Sequence, residues 1–295
     1  MFQFFANIFG YLLNFINNFV GNYGLAIILF TVLIKIIMLP LSIKQQRTMK
    51  KSTELNEKIK VLQFKYKNDP EKLNREMMDL YKKENMSPFS GCLSTIAQFI
   101  LLISIFYMVR CPLTYMEKIN NDQINTYVQQ LKDGGITVNQ AYSEIDIIRE
   151  LDYLKEKMPE DEGLNKINLN MNFCGLDLSK IPQQNLNDWT VYIIPALYII
   201  STFISMKITT SMQKKSKKND GVIDITEKDE KDSKEEEKNE MEDMMEQSNK
   251  MMSWMMPIMS VSISLVAPLG LALYWLVNNI LMIGERLVLN KIIKD

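Results

Sequence analysis

The chain has 295 residues, a net charge of −1, 47% hydrophobic residues and no histidine. Lack of histidine removes the usual general base, zinc ligand and Ser/His or Cys/His nucleophile pair. No GxxxxGKS/T loop is present to hold a phosphate, and the near-neutral balance gives no global basic field for nucleic acid. Very apolar stretches alternate with very charged ones, so the expected class is all-α and polytopic in a membrane, not an enzyme and without a cofactor.

Residues 1–20 carry Phe5, Ile8, Phe9, Leu12, Ile16 and Phe19 at helical spacing, with Asn7, Asn14, Asn17 and Asn18 on the other face. The pattern predicts an uncleaved amphipathic helix lying at the membrane interface. A degenerate signal sequence is the competing reading, although the basic n-region and small-residue cleavage site are absent. No cysteine precedes Cys92, so no lipid attachment site is expected.

The first span is expected at 23–43, long enough to cross the hydrocarbon core, with Pro40 tolerated near its end. Residues 44–86 then read as a water-soluble helical hairpin. Leu55, Ile59, Leu62 and Tyr66 form one stripe and Leu73, Met77 and Leu80 another, and Asn68-Asp69-Pro70 makes the turn between them. With twelve Lys/Arg against seven Asp/Glu it is basic, and Arg47, Lys58, Lys65, Arg75 and Lys82 are its candidate docking residues.

Ser87-Pro88-Phe89-Ser90-Gly91-Cys92 leads into a second span at 93–109. An acidic insertion follows at 111–188, with its best helical candidate at 138–158, and then a third span at 189–208. Residues 209–250 begin with Lys214, Lys215, Lys217 and Lys218 and continue into an Asp/Glu/Lys-dense stretch, 220–247, that reads as a disordered loop. Spans at 251–267 and 271–288, joined by Pro268-Leu269-Gly270, and a short basic tail at 289–295 complete the chain. The Lys/Arg-rich loops all fall on one side if there are five spans, which predicts a plasma-membrane protein with its N-terminus out and C-terminus in.

Lys35 is the residue that carries most information. It lies nine positions before Lys44, about 13 Å along a helix. An insertion cost of about 3 kcal/mol is offset by neighbouring Leu, Ile, Val and Phe at roughly 0.3–0.6 kcal/mol each. The charge either snorkels to the cytosolic interface or lines a water-filled cavity. Thr31 stands one turn earlier on the same face. Gln98 and Ser104, Ser201, Thr202 and Ser205, Ser260, Ser262 and Ser264, and Asn278 and Asn279 put polar groups in the other spans. Singly these read as helix-packing contacts, and with a buried cation they read as a hydrated groove. Five methionines at 251–259 read as lipid-facing filler or as an adaptable apolar surface, and no metal site is expected. Cys111 and Cys174 fall on the same side, which leaves both free thiols and a disulfide open.

In order, these segments resemble the YidC-type membrane protein insertases. The residues that carry the resemblance are Asn22-Tyr23-Gly24-Leu25-Ala26-Ile27-Ile28 through Lys35 and Leu39-Pro40-Leu41, then Lys65-Tyr66-Lys67 through Glu76-Met77-Met78 and Leu80-Tyr81-Lys82. The Ser87–Cys92 lead-in, Pro268-Leu269-Gly270, Leu273-Tyr274-Trp275 and Asn278-Asn279 complete the set. The resemblance implies a five-helix core around a hydrophilic groove through which nascent membrane proteins reach the lipid bilayer without nucleotide. Its expected groove residues are Lys35, Thr31, Gln98, Ser205, Trp275 and Asn278. Lys35 stands where the family usually has arginine, and Met206 where it has a third-span glutamine. The long basic tail that some members use on ribosomes has no counterpart, so contact with the ribosome or the Sec translocon is expected through the hairpin and the loop after the third span. A solute or metal-ion transporter or channel is the competing class, for which inverted repeats and paired broken helices are the expected signs. A membrane-anchored scaffold would leave Lys35 unexplained.

Overall fold

Apolar side chains at helical spacing become long helices over most of the chain. The computed structural model describes residues 2–66, 69–84, 90–219 and 261–292. The expected acidic loop at 220–247, the methionine cluster at 251–259 and most of the fourth expected span lie outside the described residues. So do the side chains of Gln98 and of residues 214–218. Among the described residues, three helices are long and apolar enough to cross a membrane, namely Tyr23–Thr48, Trp189–Ser211 and Leu269–Leu289, and Phe99–Arg110 is a shorter apolar helix.

Two compact units divide the chain. The first contains Met1–Gly21, Ile28–Leu169 and Gly284–Asp295, and the second Asn22–Ile27 and Asn170–Ile283.

Within the first unit, α1 (Phe2–Val20) packs along α4 (Ser90–Arg110). Ala6, Phe9, Gly10, Leu13 and Asn17 face inward, and the Phe9 and Phe30 rings meet edge to face at 5.8 Å. A Cβ on Gly10 would overlap the Tyr115 carbonyl, so only glycine permits this approach. The asparagine face expected to meet water is partly turned onto protein instead. Asn14 and Asn17 donate to the Met116 and Asn168 carbonyls at 3.0 and 3.1 Å. Phe4, Ile8, Tyr11, Phe15 and Phe19 form the exposed stripe.

The first expected span and the first hairpin arm are one unbroken helix, α2 (Tyr23–Lys65), with Pro40 inside it. The turn has the expected chemistry. Asp69 caps α3 (Pro70–Lys83) by accepting from the Lys72 amide at 3.0 Å, with Pro70 at the first helical position. Lys58 pairs with Glu84 at 2.5 Å across the two arms, which holds the Glu84 carboxyl below its ordinary range.

After α4 come α5 (Pro112–Tyr115), α6 (Asn121–Asp133), α7 (Ser143–Arg149), α8 (Leu151–Lys157) and α9 (Glu162–Lys166). The single helix expected at 138–158 is two short helices, because a turn at Asn139 starts it late and the chain breaks at Glu150. Tyr127, Leu131, Ile145, Ile147, Leu154 and Leu164 form a core, each at most 2% exposed. Helix α7 is surrounded, so its acids also need partners. Glu144 accepts from the Thr114 amide at 2.9 Å and the Thr114 hydroxyl at 2.6 Å, capping α5 from a distant part of the chain. Asp146 accepts from the Asn139 amide at 2.7 Å and pairs with Arg149 at 2.7 Å. At the end of α4, Arg110 donates to the Ala141 carbonyl and lies over the Tyr142 ring. Residues 141 and 142 are thereby tied to the end of α4.

The second unit centres on an antiparallel strand pair, β1 (Asn172–Phe173) and β2 (Leu176–Asp177), with Cys174 and Gly175 at positive φ in the turn. The Tyr23 amide donates to the Asn170 carbonyl at 3.1 Å, and the Leu269 and Gly270 amides donate to the carbonyls of Lys180 and Leu178, both at 2.9 Å. Gly24 accommodates the Phe173 ring where a Cβ would collide. Lys180 pairs with Asp188 at 2.8 Å, which draws the Asp188 carboxyl down to about 2. Helix α10 (Ile193–Asn219), helical residues 261–266 and most of α11 (Leu269–Ile292) complete this unit. Cys111 and Cys174 are both free thiols.

Burial raises the carboxyl groups of Glu117, Glu144 and Asp146 above their ordinary values. A raised folded value stabilises the fold below the unfolded carboxyl range, about pH 4, and that contribution is lost as pH rises through the folded values. Asp188, already low, is ionised throughout and adds no slope above that range. Hydrogen exchange across Ser143–Arg149 should therefore give a larger opening free energy at about pH 4.5 than at pH 7. The difference should shrink in Glu144→Gln. Greater protection at pH 7 would contradict this account of the buried acids.

Candidate functional site

Lys35 and Glu285 form an ion pair inside the apolar helices of the first unit. Lys35 lies twelve residues beyond Tyr23 on α2, about 18 Å along its axis. Glu285 lies sixteen residues beyond Leu269 on α11. The Lys35 Nζ donates to Glu285 Oε2 at 3.4 Å, and the two side chains are only 21% and 14% exposed. Thr31, one turn before Lys35, is 2% exposed. Arg286 sits half-buried next to Glu285 in the sequence.

Ser205, Trp275 and Asn278 belong to the second unit. Ser205 is buried in α10, Trp275 is half-buried with its ring 6.2 Å from that of Tyr198, and Asn278 is half-buried. The neighbouring asparagine makes the helix-to-helix contact. Asn279 Nδ2 donates to Ser201 Oγ at 2.9 Å and Thr202 Oγ1 at 3.1 Å, and it is 6% exposed. Ser201 and Thr202 in turn donate back to the Tyr198 carbonyl. This chain of hydrogen bonds satisfies every member from within α10 and α11, as apolar surroundings require.

The basic hairpin residues Arg47, Lys58, Lys65, Arg75 and Lys82 are all exposed, on α2 and α3. Lys58 is held by Glu84, Lys82 lies 3.8 Å from Asp79, and Lys65 stands over the Tyr66 ring.

Glu285 and Asn279 make contacts between helices that no local pattern announces. Glu285 was inside the expected last span, where a carboxylate among apolar residues calls for a cationic partner. Counting only Lys and Arg to set orientation passed over it. Asn279 was grouped with Asn278, and helical phase alone does not say which of two adjacent asparagines faces a neighbour.

The chain is similar to known proteins along nearly all its length. The model of the 60Kd inner membrane protein family matches residues 15–295. A protein named membrane protein insertase YidC from Caldanaerobacter subterraneus subsp. tengcongensis is 48% identical over 101 residues, covering 34% of this chain and 49% of that one. A protein of the same name from Francisella tularensis subsp. novicida is 46% identical over 109 residues, covering 37% of this chain and 20% of that one. The matched stretches thus span about half and a fifth of these relatives.

Asn279→Leu should cost about 0.5–2 kcal/mol, the range for an interhelical hydrogen bond within membrane helices. Asn278→Leu should cost less, because its neighbour carries the contact. Reversible unfolding in mixed micelles reads both, and equal losses would show that Asn279 does not join α10 to α11.

Proposed function

The chain belongs to the 60Kd inner membrane protein family, and from that membership we propose that it inserts and folds other membrane proteins. It works through a hydrophilic groove open to cytosol and lipid, within a core of five spans, and without nucleotide hydrolysis. The observation that carries this reading is the Lys35–Glu285 pair inside the membrane helices. Charge at that depth is expensive, and a wet groove gives it both hydration and purpose.

Such a groove shortens the apolar barrier that a polar substrate segment must cross. A cation within it favours segments bearing carboxylates, and the low dielectric strengthens that attraction. Thr31 keeps the same helix face polar. Ser205, Trp275 and Asn278 are proposed substrate contacts of the second unit, with Gln98 a further one from the second span. The exposed cations of the hairpin dock the nascent-chain machinery, the ribosome and the Sec translocon being the proposed partners. The proposed orientation puts the N-terminus outside and the hairpin in the cytosol of a cell whose plasma membrane holds the protein.

Thiol labelling tests the orientation. Cys174 is exposed, whereas burial and the nearby Glu144 push the Cys111 thiol up to about 12. Thiolate is the reactive form, so a membrane-impermeant maleimide added outside should label Cys174 quickly and Cys111 slowly. Cys92 should be spared, and its labelling from outside would reverse the topology.

Lys35 tests the groove. Lys35→Arg should insert substrates normally. Lys35→Ala should fail most on substrates whose translocated segment carries Asp or Glu. Lys35→Glu should fail worst, since it reverses the potential and confronts Glu285 with a like charge. The measurement is insertion of an acidic substrate and its neutralised version, normalised to protein level, after depletion of the wild type. Equal insertion by Lys35→Glu and wild type would refute the groove cation. Loss of a solute flux with insertion intact would favour a transporter.

A further inference from the structure

Glu285 has a part beyond neutralising a buried charge. Among the described residues, Lys58–Glu84 closes to 2.5 Å and Lys180–Asp188 to 2.8 Å, while Lys35–Glu285 stands at 3.4 Å. Tight charged hydrogen bonds are about 2.7–2.9 Å. The Lys35–Glu285 pair, although set among apolar helices where attraction is strong, is thus looser than a tight charged hydrogen bond. Its partners sit on different helices, α2 and α11, and each keeps a fraction of its side chain accessible. The ammonium has three hydrogens to donate, and Glu285 takes one of them.

We propose that Glu285 is the resident counter-ion of the groove, which a carboxylate of the incoming membrane-protein segment displaces from Lys35 and which returns when that segment leaves. The proposal rests on the insertase reading and names how the site selects and releases its substrate. A substrate Asp or Glu offers Lys35 the same acceptor that Glu285 offers. Exchanging one carboxylate for another leaves the cation paired throughout, and the displaced Glu285, already partly accessible, is left to the water of the groove. A neutral segment has nothing to exchange. Glu285 therefore lowers the affinity for acidic segments to a level at which they can still leave, and its return to Lys35 drives release. Without it the cation would hold an acidic segment instead of passing it to lipid.

Purified full-length protein in nanodiscs tests this. The probes are a synthetic apolar helical peptide with one flanking Asp and its Asn counterpart, and the readout is the ratio of their dissociation constants. Wild type should prefer the Asp peptide. Glu285→Gln should raise that preference by up to about fivefold, the scale of removing a competing partly exposed ion pair, chiefly by slowing release of the Asp peptide. Glu285→Asp, whose shorter arm reaches Lys35 less well, should fall between the two, and it serves as the test if Glu285→Gln does not fold. Under a purely structural clamp between α2 and α11, the variants would lose stability and bind both peptides alike, and an unchanged ratio overturns the proposal.

The same peptide pair, built into a small membrane protein and offered to proteoliposomes, separates the two levels. If the binding ratio moves while wild type inserts neither substrate, the insertase reading fails and the counter-ion stands. If wild type inserts both and the ratio is the same in all variants, the counter-ion fails and the insertase reading stands.

Discussion

An ammonium group placed among membrane helices has to bring its own counter-charge or its own water, because hydrocarbon supplies neither. Lys35 meets this constraint with Glu285, and the need shapes the helices around it. The cation comes from α2 and the carboxylate from α11, so the first and last spans of the chain must both be present before either charge is neutralised. A local i,i+4 pair on one helix would have satisfied the charge with less topology. The longer route ties the polar site to the assembled protein.

The same rule governs the rest of the molecule at lower stakes. Where α10 and α11 meet, the Asn279 amide donates to Ser201 and Thr202. In the insertion, Glu144 and Asp146 are buried because α7 is enclosed, and they are met by backbone amides, Glu144 by that of Thr114 at a distant helix start and Asp146 by that of Asn139 in the turn just before it. Arg110, at the end of α4, extends this network to that helix. Residues 111–169 of the first unit accordingly have a core of their own, fastened to α4.

Much of this was legible in the sequence. The helical spacing of Phe5 to Phe19, the Asp69-Pro70 turn and the apolar runs after Tyr23, Trp189 and Leu269 each appear where their patterns place them. Less legible were features decided by distant partners. Hydrophobic period alone gave one helix at 138–158, whereas the Asn139 turn and the break at Glu150 follow from burying α7 on every side. The change from apolar to charged at Lys44 carries nothing that stops a helix, so α2 continues to Lys65. The asparagines of α1 read as a water-facing stripe until Met116 and Asn168 supply carbonyls for two of them. Lys35 stands out in the sequence because a lone cation in an apolar run is conspicuous. Its partner does not, since 250 residues separate them and no local pattern links the two.

On the groove proposal, this protein moves polar segments across a bilayer without nucleotide. Purified protein in liposomes, with no nucleotide and no other protein present, measures it most directly. A small membrane protein with an acidic translocated tail is added, and protection of that tail from external protease is scored against empty liposomes. The account predicts protection well above the empty-liposome level, unchanged when ATP is added. Protection equal to that of empty liposomes, or appearing only with ATP, would contradict it.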